Sequence, residues 1–103
     1  MKVFFEVREN GDDRAWVIRD ASRDKMFLGK ILETEDGRFR VALGGDKVEK
    51  DVMCKGLWEA KAVVYAWANG MGLREWLEVE DKPFDKVTGI NVTKKGYKIC
   101  LSK

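Results

Sequence analysis

The segment spanning residues 55–70, KGLWEAKAVVYAWANG, constrains the fold more than any other part of the chain. Arranged around a helix, its apolar residues form a stripe about 100° wide, as a sheet-packing helix requires. The stripe consists of Leu57, Ala60, Val64, Trp67, Ala68 and Met71. Trp58 and Tyr65 form a second, aromatic ridge, roughly 90° around the helix from that stripe. Asn69 and Gly70 are typical of a left-handed C-terminal cap. Because a helix that is apolar on nearly every side must be covered on more than one, this segment needs packing partners from elsewhere.

Four segments of the first half are predicted as strands because apolar and polar residues alternate, less regularly in the third, which is the pattern of a half-buried antiparallel sheet. They are residues 2–9 (KVFFEVRE), 14–21 (RAWVIRDA), 26–34 (MFLGKILET) and 38–45 (RFRVALGG). Turn residues such as Asn10 and Gly11 separate them. The following segment, 46–54, is either a loop or a short fifth strand that uses Val48 and Val52. The sequence therefore predicts an α+β fold: an N-terminal four-stranded antiparallel meander, one main helix packed on it, and a C-terminal β-hairpin.

The C-terminal third supplies candidates for covering the helix. Residues 73–81 (LREWLEVED) suggest one more helical turn, and Pro83 then breaks the chain. Residues 89–103 (GINVTKKGYKICLSK) alternate along two arms and predict the closing hairpin. Two accounts of the ridge formed by Trp58 and Tyr65 are open: this C-terminal unit covers it, or a second copy of the protein or another partner does.

Size and composition set further limits. The 103 residues predict a single α+β domain over residues 1–103, with a core that needs no metal or disulfide. No apolar run approaches the roughly 20 residues that span a bilayer. Glu6, Arg8 and Glu9 interrupt the apolar start of the chain, unlike a signal peptide, so we expect a cytoplasmic location. Twenty basic and eighteen acidic residues give a net charge of only +2, which neither requires nor excludes a polyanionic partner.

Catalytic chemistry has few candidate residues. Histidine is absent, which removes the imidazole base and the Ser–His and Cys–His pairs. The two cysteines, Cys54 and Cys100, lack the spacing of a metal site; they are interpreted as packed thiols, with a bridge between them as the alternative. Cys54, just before the helix, is the better nucleophile candidate of the two. We therefore predict a protein that is not an enzyme and that uses no cofactor and no metal.

We therefore predict a binding function, and the sequence is consistent with two alternative binding surfaces. In the first, surplus aromatic side chains form a protein–protein interface, most simply that of a homodimer. Its residues are Trp58, Tyr65, Trp67 and Trp76. In the second, a basic sheet face and a basic C-terminal hairpin hold the phosphates of a nucleic acid. Its residues are Arg19, Arg38, Arg40, Lys94, Lys95 and Lys98. The expected partner is thus the protein itself, another protein or a nucleic acid, and not a membrane.

Overall fold

The computed structural model describes residues 2–11, 13–93 and 96–102. Within these residues the fold is α+β, with two α-helices and seven β-strands. The chain divides into two compact units, Met1–Gly56 and Leu57–Lys103, and each has a sheet of its own. The single domain predicted over residues 1–103 stays a prediction, since one domain can contain two such units.

The N-terminal unit is an antiparallel sheet in which each strand pairs with the next along the chain. Its strands are β1 (Val3–Asn10), β2 (Asp13–Asp20), β3 (Met26–Glu33), β4 (Phe39–Leu43) and β5 (Lys50–Cys54). The sequence predicts four strands, and the structure has five, with Val52 of β5 opposite Val41 of β4. Val48 lies in the loop before β5 and is 60% exposed. The fifth strand gives a weak sequence signal because only Cys54, its last residue, is fully buried.

One face of this sheet is buried, as the alternation of β2 and β4 predicts. Five of its side chains, Trp16, Ile18, Ile31, Val41 and Leu43, are at most 4% exposed. The register aligns them across the strands, with Ile31 opposite both Trp16 and Val41. The side chains between them form the opposite side, which we call the outer face: Phe4, Glu6, Arg8, Ala15, Val17, Arg19, Phe27, Lys30, Leu32, Arg40, Ala42, Asp51 and Met53.

A bulge in β3 interrupts this alternation. Ile18 lies opposite Gly29 and Arg19 opposite Phe27, so that Leu28 has no residue directly opposite it in β2. Gly29 has a φ of +155°, and a Cβ atom at this position would lie 2.1 Å from the carbonyl oxygen of Ala42. Glycine is required here because β4 approaches the backbone of β3 so closely.

The C-terminal unit contains α1 (Leu57–Ala68), α2 (Leu73–Val79), β6 (Val87–Thr93) and β7 (Gly96–Leu101). Helix α1 contacts both α2 and β6, and β6 and β7 form the predicted antiparallel hairpin. The predicted cap of α1 is confirmed: Gly70 has a φ of +71°, and Nδ2 of Asn69 donates a hydrogen bond to the Tyr65 carbonyl oxygen at 2.8 Å. The packing of α1 on the N-terminal sheet stays a prediction.

Candidate interaction surfaces

Three aromatic rings meet inside the C-terminal unit. The Tyr65 ring lies 4.4 Å from that of Tyr97 and 6.1 Å from that of Trp76, between ring centroids. Tyr65 is 7% exposed and Trp76 is 2% exposed. The Tyr97 hydroxyl donates a hydrogen bond to Oε1 of Glu80, and burial, aided by this carboxylate, raises the pKa of Tyr97 to about 12. Two of the four aromatic residues predicted at an interface therefore lie in the chain's own core.

The other two predicted interface residues, Trp58 and Trp67, are half-buried. Trp58 contacts Phe84 with 5.8 Å between ring centroids, and the Arg74 guanidinium lies 4.3 Å from the centre of the same Phe84 ring. Together with the contacts of Tyr65, this agrees with the first account of the aromatic ridge, in which residues of the C-terminal unit cover it. Both ridge residues therefore have aromatic partners within the C-terminal unit.

The basic residues predicted to bind phosphate are accompanied by carboxylates. Arg19 and Arg40 share the outer face, as predicted. Arg40 holds Asp51 through two hydrogen bonds, Nε to Oδ1 at 2.9 Å and Nη2 to Oδ2 at 2.6 Å, which lower the pKa of Asp51. Nε of Arg19 lies 3.2 Å from Oε2 of Glu6. These pairs reduce the positive charge that the outer face offers to a polyanion.

The remaining predicted basic residues do not lie beside these two arginines. Arg38 lies in the turn before β4, where its Nε donates to Oδ2 of Asp36 at 2.7 Å. Lys98 is exposed on β7 of the C-terminal unit. Lys94 and Lys95 fall outside the residues that the structure describes. Among the predicted basic residues that the structure describes, Arg19 and Arg40 share the outer face, but the register separates them: Arg19 lies opposite Phe27 at the start of β3, and Arg40 lies opposite Leu32 near its end.

The outer face also carries exposed apolar side chains that the sequence did not single out. Phe27 is 39%, Leu32 36% and Met53 46% exposed. Strict alternation would place Phe27 on the buried face with Gly29, but the bulge at Leu28 turns it outward. The irregular pattern of MFLGKILET was the available signal for this reversal.

Strand β1 forms an open edge of the sheet. In the described part of the chain, β2 is its single strand neighbour, and the pairing runs without a bulge from Val3 to Asn10. Val7 is 55% exposed near the middle of the strand. In an edge strand every second residue directs its backbone N–H and C=O groups away from the neighbouring strand, and Val7 is such a residue in β1.

Other chemistry has little support among the described residues. An open depression of about 560 Å³ beside the β1–β2 turn is lined by both acids and bases, and Arg14 pairs there with Glu9 at 3.3 Å. The residues that the structure covers contain no cluster of three or more potential metal ligands from cysteine, aspartate or glutamate. Cys54 and Cys100 are free thiols. None of the helices described is long and apolar enough to cross a membrane.

Comparisons with known proteins give no relative for this chain. No protein-family model matches it, and neither a curated protein nor a solved structure does. The N-terminal sheet offers a partner two features, its outer face and its edge strand β1.

Proposed function

We propose that this chain is a small, non-catalytic cytoplasmic protein that acts through a protein–protein interface and forms a homodimer. The observation that carries the proposal is the open edge strand β1, eight residues long and regular throughout. Sheet edges of this kind bind other strands, and proteins that stay monomeric usually blunt them with proline, charged side chains, bulges or a covering segment. The sequence of β1, VFFEVREN, contains no proline, and its charged residues include both signs, so that a second copy can balance them.

The outer face supports a protein partner over a polyanion. Phe27, Leu32 and Met53 supply exposed apolar area, and phenylalanine, methionine and arginine are enriched at the centres of protein interfaces. The charges of Arg19 and Arg40 are already balanced by carboxylates on the same face. A surface of alternating apolar and ion-paired side chains suits another folded protein better than a row of phosphates.

Nucleic-acid binding is the alternative function, and it uses the same face. It draws on Arg19 and Arg40 together with the exposed Lys30. Because each phosphate contact releases counterions, such binding would weaken steeply with salt. A homodimer held by backbone hydrogen bonds and apolar contacts would respond only weakly to salt.

The solution mass tests the proposal directly. Light scattering after gel filtration, over a range of protein concentrations and in low and high salt, should give twice the chain mass of 11.8 kDa. The dimer should persist in high salt. A single chain mass at every concentration in both salts would overturn the homodimer.

A further inference from the structure

We propose that the second copy binds through β1, as an antiparallel strand pair in which Val7 of one copy lies opposite Val7 of the other. The two five-stranded sheets would then join into one continuous sheet across a two-fold axis. This inference rests on the proposed homodimer and names the contact that holds it together.

The hydrogen bonds to β2 determine which backbone groups of β1 face the open edge. The carbonyl oxygen of Lys2 accepts a hydrogen bond from the Ala21 nitrogen at 2.8 Å. In an antiparallel ladder, hydrogen-bonded and non-bonded residue pairs alternate. Even-numbered residues of β1 therefore direct their N–H and C=O groups towards β2, and odd-numbered residues, including Val7 and Glu9, direct theirs to the edge.

This alternation restricts the registers in which two copies of β1 can pair. Odd residues must lie opposite odd residues, so that both strands contribute edge-directed groups. With Val7 opposite Val7, each Val7 donates its N–H to the other's carbonyl oxygen. The residues on either side of Val7, Glu6 and Arg8, then lie opposite Arg8 and Glu6 of the second copy.

Charge selects this register from its neighbours. Val7 opposite Val7 places Glu6 opposite Arg8 of the second copy, and Arg8 opposite the second copy's Glu6. The next register in one direction places Glu6 opposite Glu6, and the next in the other places Arg8 opposite Arg8. Like charges directly opposite each other destabilise a strand pair, whereas opposite charges stabilise it. Of these three registers, only the one with Val7 opposite Val7 places opposite charges across from each other.

The side chains are available for this exchange. Glu6 forms ion pairs with both Arg8 and Arg19 of its own chain, and the side chains of Glu6 and Arg8 are 38% and 60% exposed. In the proposed register they would form non-hydrogen-bonded pairs, whose Cα atoms lie only about 4.5 Å apart, so each Arg8 can reach the second copy's Glu6. Val7, now 55% exposed, would bury its side chain against its symmetry mate.

The first test removes one outward N–H group. Val7→Pro deletes the donor that faces the edge and leaves the β1–β2 hydrogen bonds in place, since proline is tolerated on an edge when its nitrogen faces solvent. The dimer dissociation constant should rise by roughly tenfold or more, because two hydrogen bonds are lost per dimer. Val7→Thr keeps the N–H and the β-branched shape, and should stay within about threefold of the unchanged protein. Circular dichroism checks that each variant folds.

The second test addresses the register. Glu6→Arg and Arg8→Glu each place like charges opposite each other twice, and each should weaken the dimer by roughly tenfold. Mixed in equal amounts, the two variants should form a heterodimer, because every pair is again of opposite charge. Native mass spectrometry separates this heterodimer from either homodimer by mass.

The outcomes separate the inference from the proposed function. A wild-type monomer overturns the homodimer and the inference with it. A wild-type dimer that Val7→Pro leaves intact overturns the β1 contact and keeps the homodimer. Dissociation by Val7→Pro without recovery in the mixture of charge variants overturns the register. Dissociation with recovery supports the inference in full.

Discussion

Ser22 donates two hydrogen bonds to one carboxylate oxygen of Asp20: its hydroxyl lies 2.6 Å from Oδ1 and its backbone nitrogen 3.0 Å. The backbone nitrogen of Lys2 donates a third to the same atom at 3.1 Å. The Asp20 side chain is fully buried at the end of β2. These bonds, the Ser22 hydroxyl above all, hold the pKa of Asp20 below its ordinary value although burial opposes this.

Ser22→Ala should therefore lower the melting temperature by several degrees and weaken its dependence on acid pH. A carboxyl group with a depressed pKa contributes stability that is complete above its unfolded pKa and is lost as pH falls through its folded pKa. Thermal unfolding from neutral pH down to about pH 3 measures this loss, since an ordinary aspartate titrates near 4. Ser102→Ala, at the exposed position of the other serine, is the control. Parallel pH curves for the wild type and Ser22→Ala would contradict the prediction.

Gly29→Ala should destabilise the N-terminal unit strongly. The new methyl group would lie 2.1 Å from the Ala42 carbonyl oxygen. The backbone φ of +155° is also one that residues other than glycine rarely adopt. Strain and overlap together should lower the free energy of unfolding by about 2–4 kcal/mol. Urea unfolding measures the change. Gly89→Ala, where no atom lies within 4 Å of the added Cβ, should change it by less than about 1 kcal/mol. Equal effects at the two positions would refute the close approach of β3 and β4.

Tyr97 should titrate far above an ordinary tyrosine. Its pKa is raised to about 12, first by burial and then by the hydrogen bond to Glu80. A raised folded-state pKa contributes stability that is complete below the unfolded pKa and is lost as pH rises through about 12. In an absorbance titration of the folded protein, tyrosinate should appear well above the ordinary pKa of about 10, and in urea it should appear near that value.

Tyr97→Phe assigns the signal in that titration. The chain has two tyrosines, and burial raises the pKa of Tyr65 as well. The variant should therefore lose the step near pH 12 and keep one displaced titration, that of Tyr65. A full-sized step that persists in Tyr97→Phe would show that Tyr97 is not the displaced group.

Arg40→Ala should leave any DNA binding nearly unchanged. Its guanidinium is held by both carboxylate oxygens of Asp51, so little of its charge is offered to a phosphate. Fluorescence anisotropy with a short labelled DNA duplex, repeated over a series of salt concentrations, measures affinity and salt slope together. Lys30→Ala, which removes a basic residue from the same face, is the matched variant.

A different result of the DNA titration would favour the alternative function. Tight binding that falls steeply with salt, and a smaller slope in Arg40→Ala, would show that this side chain leaves Asp51 to contact phosphate. The outer face would then be assigned to nucleic-acid binding and not to a protein–protein interface.

Alternation and helical spacing were sufficient to predict most of the secondary structure. They fail where a local feature breaks the period. The bulge at Leu28 reverses Phe27, and β5 offers only Cys54 as a fully buried residue. Arg38 was expected on the outer face beside Arg40, yet it lies in the turn, because its backbone pairs with Thr34 and its side chain with Asp36.

The candidate surfaces were harder to predict than the fold. Tryptophan and tyrosine are common in cores and in interfaces alike, so composition could not tell that Tyr65 and Trp76 are core residues. The charge of Arg19 and Arg40 was visible, but their pairing with Glu6 and Asp51 depends on which strands are neighbours. The edge position of β1 likewise depends on the order of the strands in the sheet, and the sequence pattern predicts only which segments are strands.

The placement of the tryptophans gives each unit its own optical signal. Trp16 is the one tryptophan in the sequence of Met1–Gly56, and it is buried against Phe39 at 5.8 Å between ring centroids. The emission of the C-terminal unit comes from three others, of which Trp76 is the most deeply buried. Replacing Trp16 by phenylalanine would remove the tryptophan emission of the N-terminal unit and leave that of the C-terminal unit. Comparing the fluorescence of the two proteins during thermal unfolding would therefore show whether the two units unfold in one transition or in two.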